Sequence, residues 1–154
     1  MSQSDADSLA PANAPLLSEL APSLEFLAPI RRHRLTLAEQ AWQRQHIVLN
    51  ALHTRLTQMA SELQKLHESH RQARQEQRER NTNRLLLLRE MNQWLTGEQQ
   101  ALEYIERFEQ NFRTLQAEYR RQQDWTDDSQ KQLRRRQRDM EKLDLLRDLA
   151  RGAS

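Results

Sequence analysis

Leu35, Trp42, Leu49, Leu56 and Leu63 recur every seven residues, and Ala38, Gln45, Leu52, Met59, Leu66 and Ala73 follow three residues behind that series. These are the a and d positions of a heptad. Apolar residues there form a seam along one side of an α-helix, and the seam is stable only when a second helix closes over it. The pattern therefore demands a long helix with a helical partner.

The partner is available within the chain. Between His70 and Arg84 the seam positions turn small or polar (His70, Ala73, Gln77, Arg80, Arg84). The pattern then resumes in the same register with Leu87, Met91, Trp94, Ala101, Ile105, Phe108, Phe112, Leu115 and Tyr119, broken by Glu98. Beyond Tyr119 it weakens to Gln122, Thr126 and Ser129 before Leu133, Met140 and Leu143. Asn81-Thr82-Asn83 is the one cluster of weak helix formers in between, because these side chains compete with the helix for backbone hydrogen bonds. The expected fold is all-α: a long antiparallel two-helix coiled-coil hairpin, with a first helix over 31–80, a turn at 81–83 and a second helix over 84–151. The rival is one continuous helix in a parallel dimer.

In an antiparallel pair, a positions face d positions, so facing residue numbers must sum to 164, 157, 171 or another value seven apart. A turn centred on Thr82 selects 164 and sets Leu56 opposite Phe108, Leu52 opposite Phe112 and Leu49 opposite Leu115. It also sets Arg31 opposite Leu133, leaving Arg134 to Ala150 as an overhang. The stripe of Met140, Leu143, Leu146 and Leu149 on that overhang then has no partner in the hairpin and must fray or bind another protein.

Residues 1–30 read as a flexible, acidic, Pro/Ala-rich extension. All four prolines, Pro11, Pro15, Pro22 and Pro29, fall there, and proline inside a helix removes a hydrogen bond and clashes with the preceding turn. The same stretch carries Leu16, Leu17, Leu20, Leu24, Phe26 and Leu27, which leaves room for a docking motif or an export signal.

Charge is plentiful but nearly balanced, with 24 Lys and Arg against 22 Asp and Glu. Residues 1–29 contain four acids and no base, so the net +2 of the whole becomes +6 for the remainder. With two glycines and 30% charged residues the composition is that of solvated helices, not of a thick globular core. Two helices bury little surface against an ordering cost of roughly 1 to 2 kcal/mol per residue, so partners are expected to complete such a protein. There is no cysteine, hence no disulfide framework or thiolate metal site. No apolar run approaches the roughly 20 residues of a membrane span, and Asp5 and Asp7 stand where a secretory leader would be basic. The chain reads as cytoplasmic, without direct membrane insertion.

No catalytic constellation stands out, and no cofactor is expected. Gly97 and Gly152 are too isolated to cradle a phosphate. His67 and His70 share a helical face, but a zinc site would need further ligands from the other arm. The basic clusters are Arg31, Arg32 and Arg34, the stretch from Arg71 to Arg89, and Lys131 with Arg134, Arg135, Arg136 and Arg138. They are interleaved with acids and lack a recognition fold, which favours a solvated face or an acidic protein surface over nucleic acid. Leu88, Leu95 and Leu102 lie seven apart on the e position beside the seam, with Leu85 and Met91 close by. They either widen the hairpin core or form a lateral docking stripe.

The order of these features resembles the stalk proteins of type III secretion and flagellar export, the YscO/FliJ-like family, over roughly residues 31–150. The basic start Arg31-Arg32-His33-Arg34-Leu35 leads into a Gln-rich heptad helix. The Asn81-Thr82-Asn83 turn follows, then Leu87, Glu90, Trp94 and Glu98 at the start of the second helix, and a basic helical C-terminal part. Coiled coils converge readily, and the acidic proline-containing extension departs from the short N-terminus usual in that family. The resemblance implies a non-enzymatic antiparallel coiled coil that inserts its terminal end into the hole of the hexameric export ATPase. It also implies contact with the export-gate membrane protein and, in some systems, with secretion chaperones of virulence-associated machines. Carried over by position, gate contact falls on Leu88, Met91 and Leu95. ATPase contact falls on Arg31, Arg32, Arg34, Arg134, Arg135, Arg136, Leu143 and Leu146. A generic coiled-coil adaptor or chaperone-binding module is the alternative.

Overall fold

The computed structural model describes the backbone of residues 14–82 and 85–153, and the side chains of 19–82 and 85–152. Two helices account for nearly all of it: α1 over Ala14–Asn81 and α2 over Leu88–Ala153. The all-α antiparallel pairing expected from the heptads is what the chain adopts, and one continuous helix is not. The contacts fall into two compact units. The first joins Met1–His46 to Asp124–Ser154, and the second is Ile47–Gln123.

The second unit is a helical hairpin closed by the connection. α1 ends where Thr82 N–H and Oγ1 both donate to the Arg78 carbonyl, at 3.0 and 2.7 Å, and α2 opens with Met91 N–H donating to the Leu87 carbonyl at 3.1 Å. The linker between Asn81 and Leu88 is therefore longer than the three-residue turn expected at 81–83, and the second helix starts at 88 instead of 84. Asn83 and Arg84 lie outside the described residues.

The longer linker moves the register. In the second unit the His53 and Tyr119 rings lie 5.9 Å apart. In the first unit Thr126 Oγ1 donates to the Gln45 carbonyl at 3.3 Å, and Arg147 pairs with Glu25 at 2.9 Å. The residue numbers of these pairs sum to 171 or 172, one heptad above the 164 set by a turn at Thr82. Glu98 supplies a physical reason. At 164 its carboxylate would face Leu66, whereas at 171 it faces Ala73 with His70 and Arg74 in reach. Burying a carboxylate against leucine without a partner is costly. The new register sets Leu63 opposite Phe108 and Leu56 opposite Leu115; Ile105 and Leu115 are buried.

The first unit corrects two further expectations. α1 does not begin at residue 31 but at Ala14, so residues 14–30 are helix and not a flexible extension; residues 1–13 lie outside the described part. Pro15 sits in the first helical turn, where a missing N–H costs nothing. Pro22 and Pro29 lie inside the helix, seven residues apart, and both are exposed. Each forfeits one backbone hydrogen bond on the outward side, where water can reach the carbonyl left behind, while Leu24 and Ala28 between them turn inward. Those two residues form the core of this unit with Met140, Leu143 and Ala150, flanked by Ala21, Leu35 and Leu146. The stretch Arg134 to Ala150 is thus no overhang. It is paired with the early part of α1, and Leu143, only 1% exposed, is the most deeply buried large side chain among the described residues.

Candidate partner-docking surfaces

In the second unit, near the connection, α1 offers His70, Ala73 and Gln77 at the seam. α2 answers with Trp94, Glu98 and Ala101. Small and polar side chains leave a groove of about 500 Å³ lined by Leu66, His70, Ala73, Gln77, Trp94 and Ala101 among others. Glu98 bridges it: His70 Nε2 lies 2.8 Å from its Oε1, and Arg74 Nε 3.4 Å from the same oxygen. His67 Nε2 lies 2.9 Å from Glu109 Oε1. Carboxylates from the other arm do reach both histidines, but each histidine takes its own. Among the described residues no three His, Asp or Glu side chains are grouped to hold a metal ion.

Polar seam residues cannot cover leucines, and the e-position stripe stays in solvent. Leu88 is 74% exposed, Met91 46%, Leu95 49% and Leu102 48%. Leu85 and Leu87, in the linker, are more open than any residue of a core would be. Of the two readings of these leucines, widening of the hairpin core does not describe them. Met91 holds a true seam position and is still half exposed, since the register puts it opposite Arg80.

In the first unit Arg31, Arg34, Arg136 and Asp139 line a small cleft. Arg31 Nη1 donates to the Asp139 carbonyl at 3.2 Å, and Arg136 Nη1 lies 3.6 Å from the Asp139 carboxylate. Arg31 thus helps to fasten α1 to α2, while the Arg136–Asp139 pair lies within α2. Arg32, Arg34, Arg134 and Arg135 are exposed. Leu143 and Leu146, expected on an accessible ATPase-facing surface, are instead in or against the core, because α1 extends far enough to cover them.

A charged clasp closes the same unit on its other flank. Arg147 Nε and Nη2 donate to both carboxylate oxygens of Glu25 at 3.0 and 2.9 Å, and Arg151 adds a 3.4 Å contact. The bidentate hydrogen bonds from Arg147 hold the Glu25 carboxyl below its usual range; desolvation opposes them, and the charges of Arg147 and Arg151 add to the lowering. Glu25 was not singled out in the sequence, and its signal was faint: an acid at an e position, legible only once residues 14–30 are taken as helix.

Comparison with known proteins adds no further constraint: no family model, no curated protein and no solved structure matches the chain. No helix among the described residues is long and apolar enough to cross a membrane.

Proposed function

We propose that this chain is a non-enzymatic stalk component of a type III protein export apparatus, working at its cytoplasmic face between the hexameric export ATPase and the export gate. The observation that carries the reading is the exposed apolar stripe at the start of α2. Solvent-exposed leucines in sequence at Leu88, Leu95 and Leu102, beside a half-exposed Met91, are costly to maintain unless another surface covers them. Leu88, Met91 and Leu95 among them are the positions at which the resemblance puts gate contact. ATPase contact is assigned to the exposed arginines Arg32, Arg34, Arg134 and Arg135, with Arg31 and Arg136 behind them. Leu143 and Leu146 have no part in it, since the hairpin's own packing consumes them.

The double variant Leu88→Glu with Leu95→Glu tests the gate assignment. Both side chains are exposed, so helicity and thermal unfolding should stay as in the parent while binding to the cytoplasmic domain of the export-gate protein is lost. Loss of helicity would return these leucines to the core and remove the docking surface. For the other end, the parent should change the hydrolysis rate or hexamerisation of its cognate ATPase, and replacing Arg134 and Arg135 by Glu should abolish that change. An ATPase indifferent to the parent protein means the stalk reading is wrong.

A further inference from the structure

The closed seam of α1 is not its only heptad. In the first unit Leu20, Leu27, Ile30, Leu37 and Ala41 occupy five positions of a three-and-four alternation displaced by one position from the a/d series, with Ser23 and Arg34 at the positions between. A one-residue displacement rotates a seam by roughly 100° about the helix axis, so this second seam lies on the flank of α1 and not under α2. Its residues are accordingly in solvent: Ile30 is 39% exposed and Leu37 50%, with Phe26 beside them at 73%. From Leu20 to Ala41 the stripe is about 32 Å long at 1.5 Å per residue, enough for a partner helix of some five to six turns.

The charge that α1 itself places on this flank has one sign. Between Leu20 and Arg44 the acids of α1 are Glu25 and Glu39, both at e positions on the opposite flank, and Glu25 is engaged by Arg147 and Arg151. On the stripe itself three seam positions are not apolar, Ser23, Arg34 and Arg44; the two charged ones are Arg34 and Arg44, and neither makes an ion pair among the described residues. On α2, Asp139 lines a cleft with Arg34 and lies 3.6 Å from Arg136. The same flank of α1 in a second copy would bring the same arginines and no acid to meet them.

We propose that this flank of α1 is a second helix-docking seam whose occupant is an acidic amphipathic helix of another protein. The occupant sets its apolar residues between Leu20, Leu27, Ile30 and Leu37 and its carboxylates against Arg34 and Arg44. The proposal stands on α1 alone and does not rest on the export-stalk reading.

Fluorescence anisotropy with two labelled 24-residue helical peptides tests it, using the full chain at low ionic strength. Both peptides carry leucine at alternate three- and four-residue spacings, one with glutamates flanking the leucines and one with lysines. The glutamate peptide should bind about tenfold or more tightly than the lysine peptide, a difference of about 1.4 kcal/mol or more. Ile30→Glu with Leu37→Glu should weaken its binding by a similar factor while leaving the circular dichroism spectrum unchanged, and Arg34→Glu with Arg44→Glu should reverse the preference. Equal binding of the two peptides, binding of neither, or full binding by the Ile30/Leu37 variant overturns the proposal. So does a stable dimer in sedimentation that Ile30→Glu with Leu37→Glu dissociates, because the occupant would then be a second copy.

Discussion

The two ends of α2 carry similar amphipathic stripes and meet opposite fates. At its start Leu88, Met91 and Leu95 remain in solvent; towards its end Met140, Leu143 and Ala150 are buried. Part of the difference is position, since Leu88 and Leu95 lie on e beside the seam while Met140, Leu143 and Ala150 lie on a and d; the rest, which also leaves Met91 at an a position open, is what α1 offers. Against the start of α2 it sets His70, Ala73, Gln77 and Arg80; His70 and the neighbouring Arg74 hold Glu98, but none of these side chains covers leucine. Against the end it sets Ala21, Leu24 and Ala28, whose small and apolar side chains let α2 close in. Whether an amphipathic stripe becomes core or docking surface is decided by its place on the helix and by the residues across from it.

The largest effect that separates the two stretches is expected at Leu143. Leu143→Ala truncates the most deeply buried large side chain among the described residues of the first unit and should destabilise it by about 2 to 5 kcal/mol, read as a fall in the urea midpoint. The same substitution at Leu95, half exposed, should shift the midpoint far less. If the two variants lose similar stability, the contrast between a closed and an open stripe is false.

Pro22 and Pro29 sharpen it from the other side. Each holds an interior helical position without a clasp of its own, and proline there costs up to about 3 kcal/mol relative to alanine. Pro22→Ala and Pro29→Ala should each raise the melting temperature and strengthen hydrogen-exchange protection over residues 19–30. A fall in stability would mean that the early part of α1 is not continuous helix.

The smallest effect is electrostatic. The Glu25 carboxyl is held below its usual range by Arg147. A group with a depressed folded-state value adds stability above its unfolded value of about 4.3, and that stability disappears as pH falls through the lower folded value. Glu25→Gln should therefore be less stable than the parent near neutral pH, and the two unfolding curves should converge on acidification below that range. A difference that persists unchanged into acid would assign the effect to packing.

The heptads made the two helices and their antiparallel pairing readable, because Leu49, Leu52, Leu56 and Leu63 on one arm and Ile105, Phe108, Phe112 and Leu115 on the other sustain one period over many turns. The register was not readable from the same signal. A seven-residue repeat looks alike after a shift of seven, and only the linker length and the polar seam residue Glu98 distinguish 164 from 171. The early helix was missed because four prolines outweighed a pattern that was present: Ala21, Leu24 and Ala28 continue the a and d positions in step with Leu35. That omission made Leu143 and Leu146 look unpartnered. The lateral stripe at Leu88 and Leu95 was visible from spacing, but its exposure depended on the facing residues and hence on the register. The second seam at Leu20, Leu27, Ile30 and Leu37 was hidden with the helix that carries it.

Because the chain contains no cysteine, disulfide trapping tests the pairing of its C-terminal stretch directly. Under mild oxidation the variant Ala28→Cys with Leu143→Cys should form an intramolecular cross-link. The variant Ala21→Cys with Leu143→Cys, the pair that a sum of 164 would bring together, should not, since seven residues of helix displace the site by about 10 Å and a disulfide needs its Cα atoms within about 7 Å. Cross-linking of the second pair, or of neither, would contradict the account that the early part of α1 covers the end of α2.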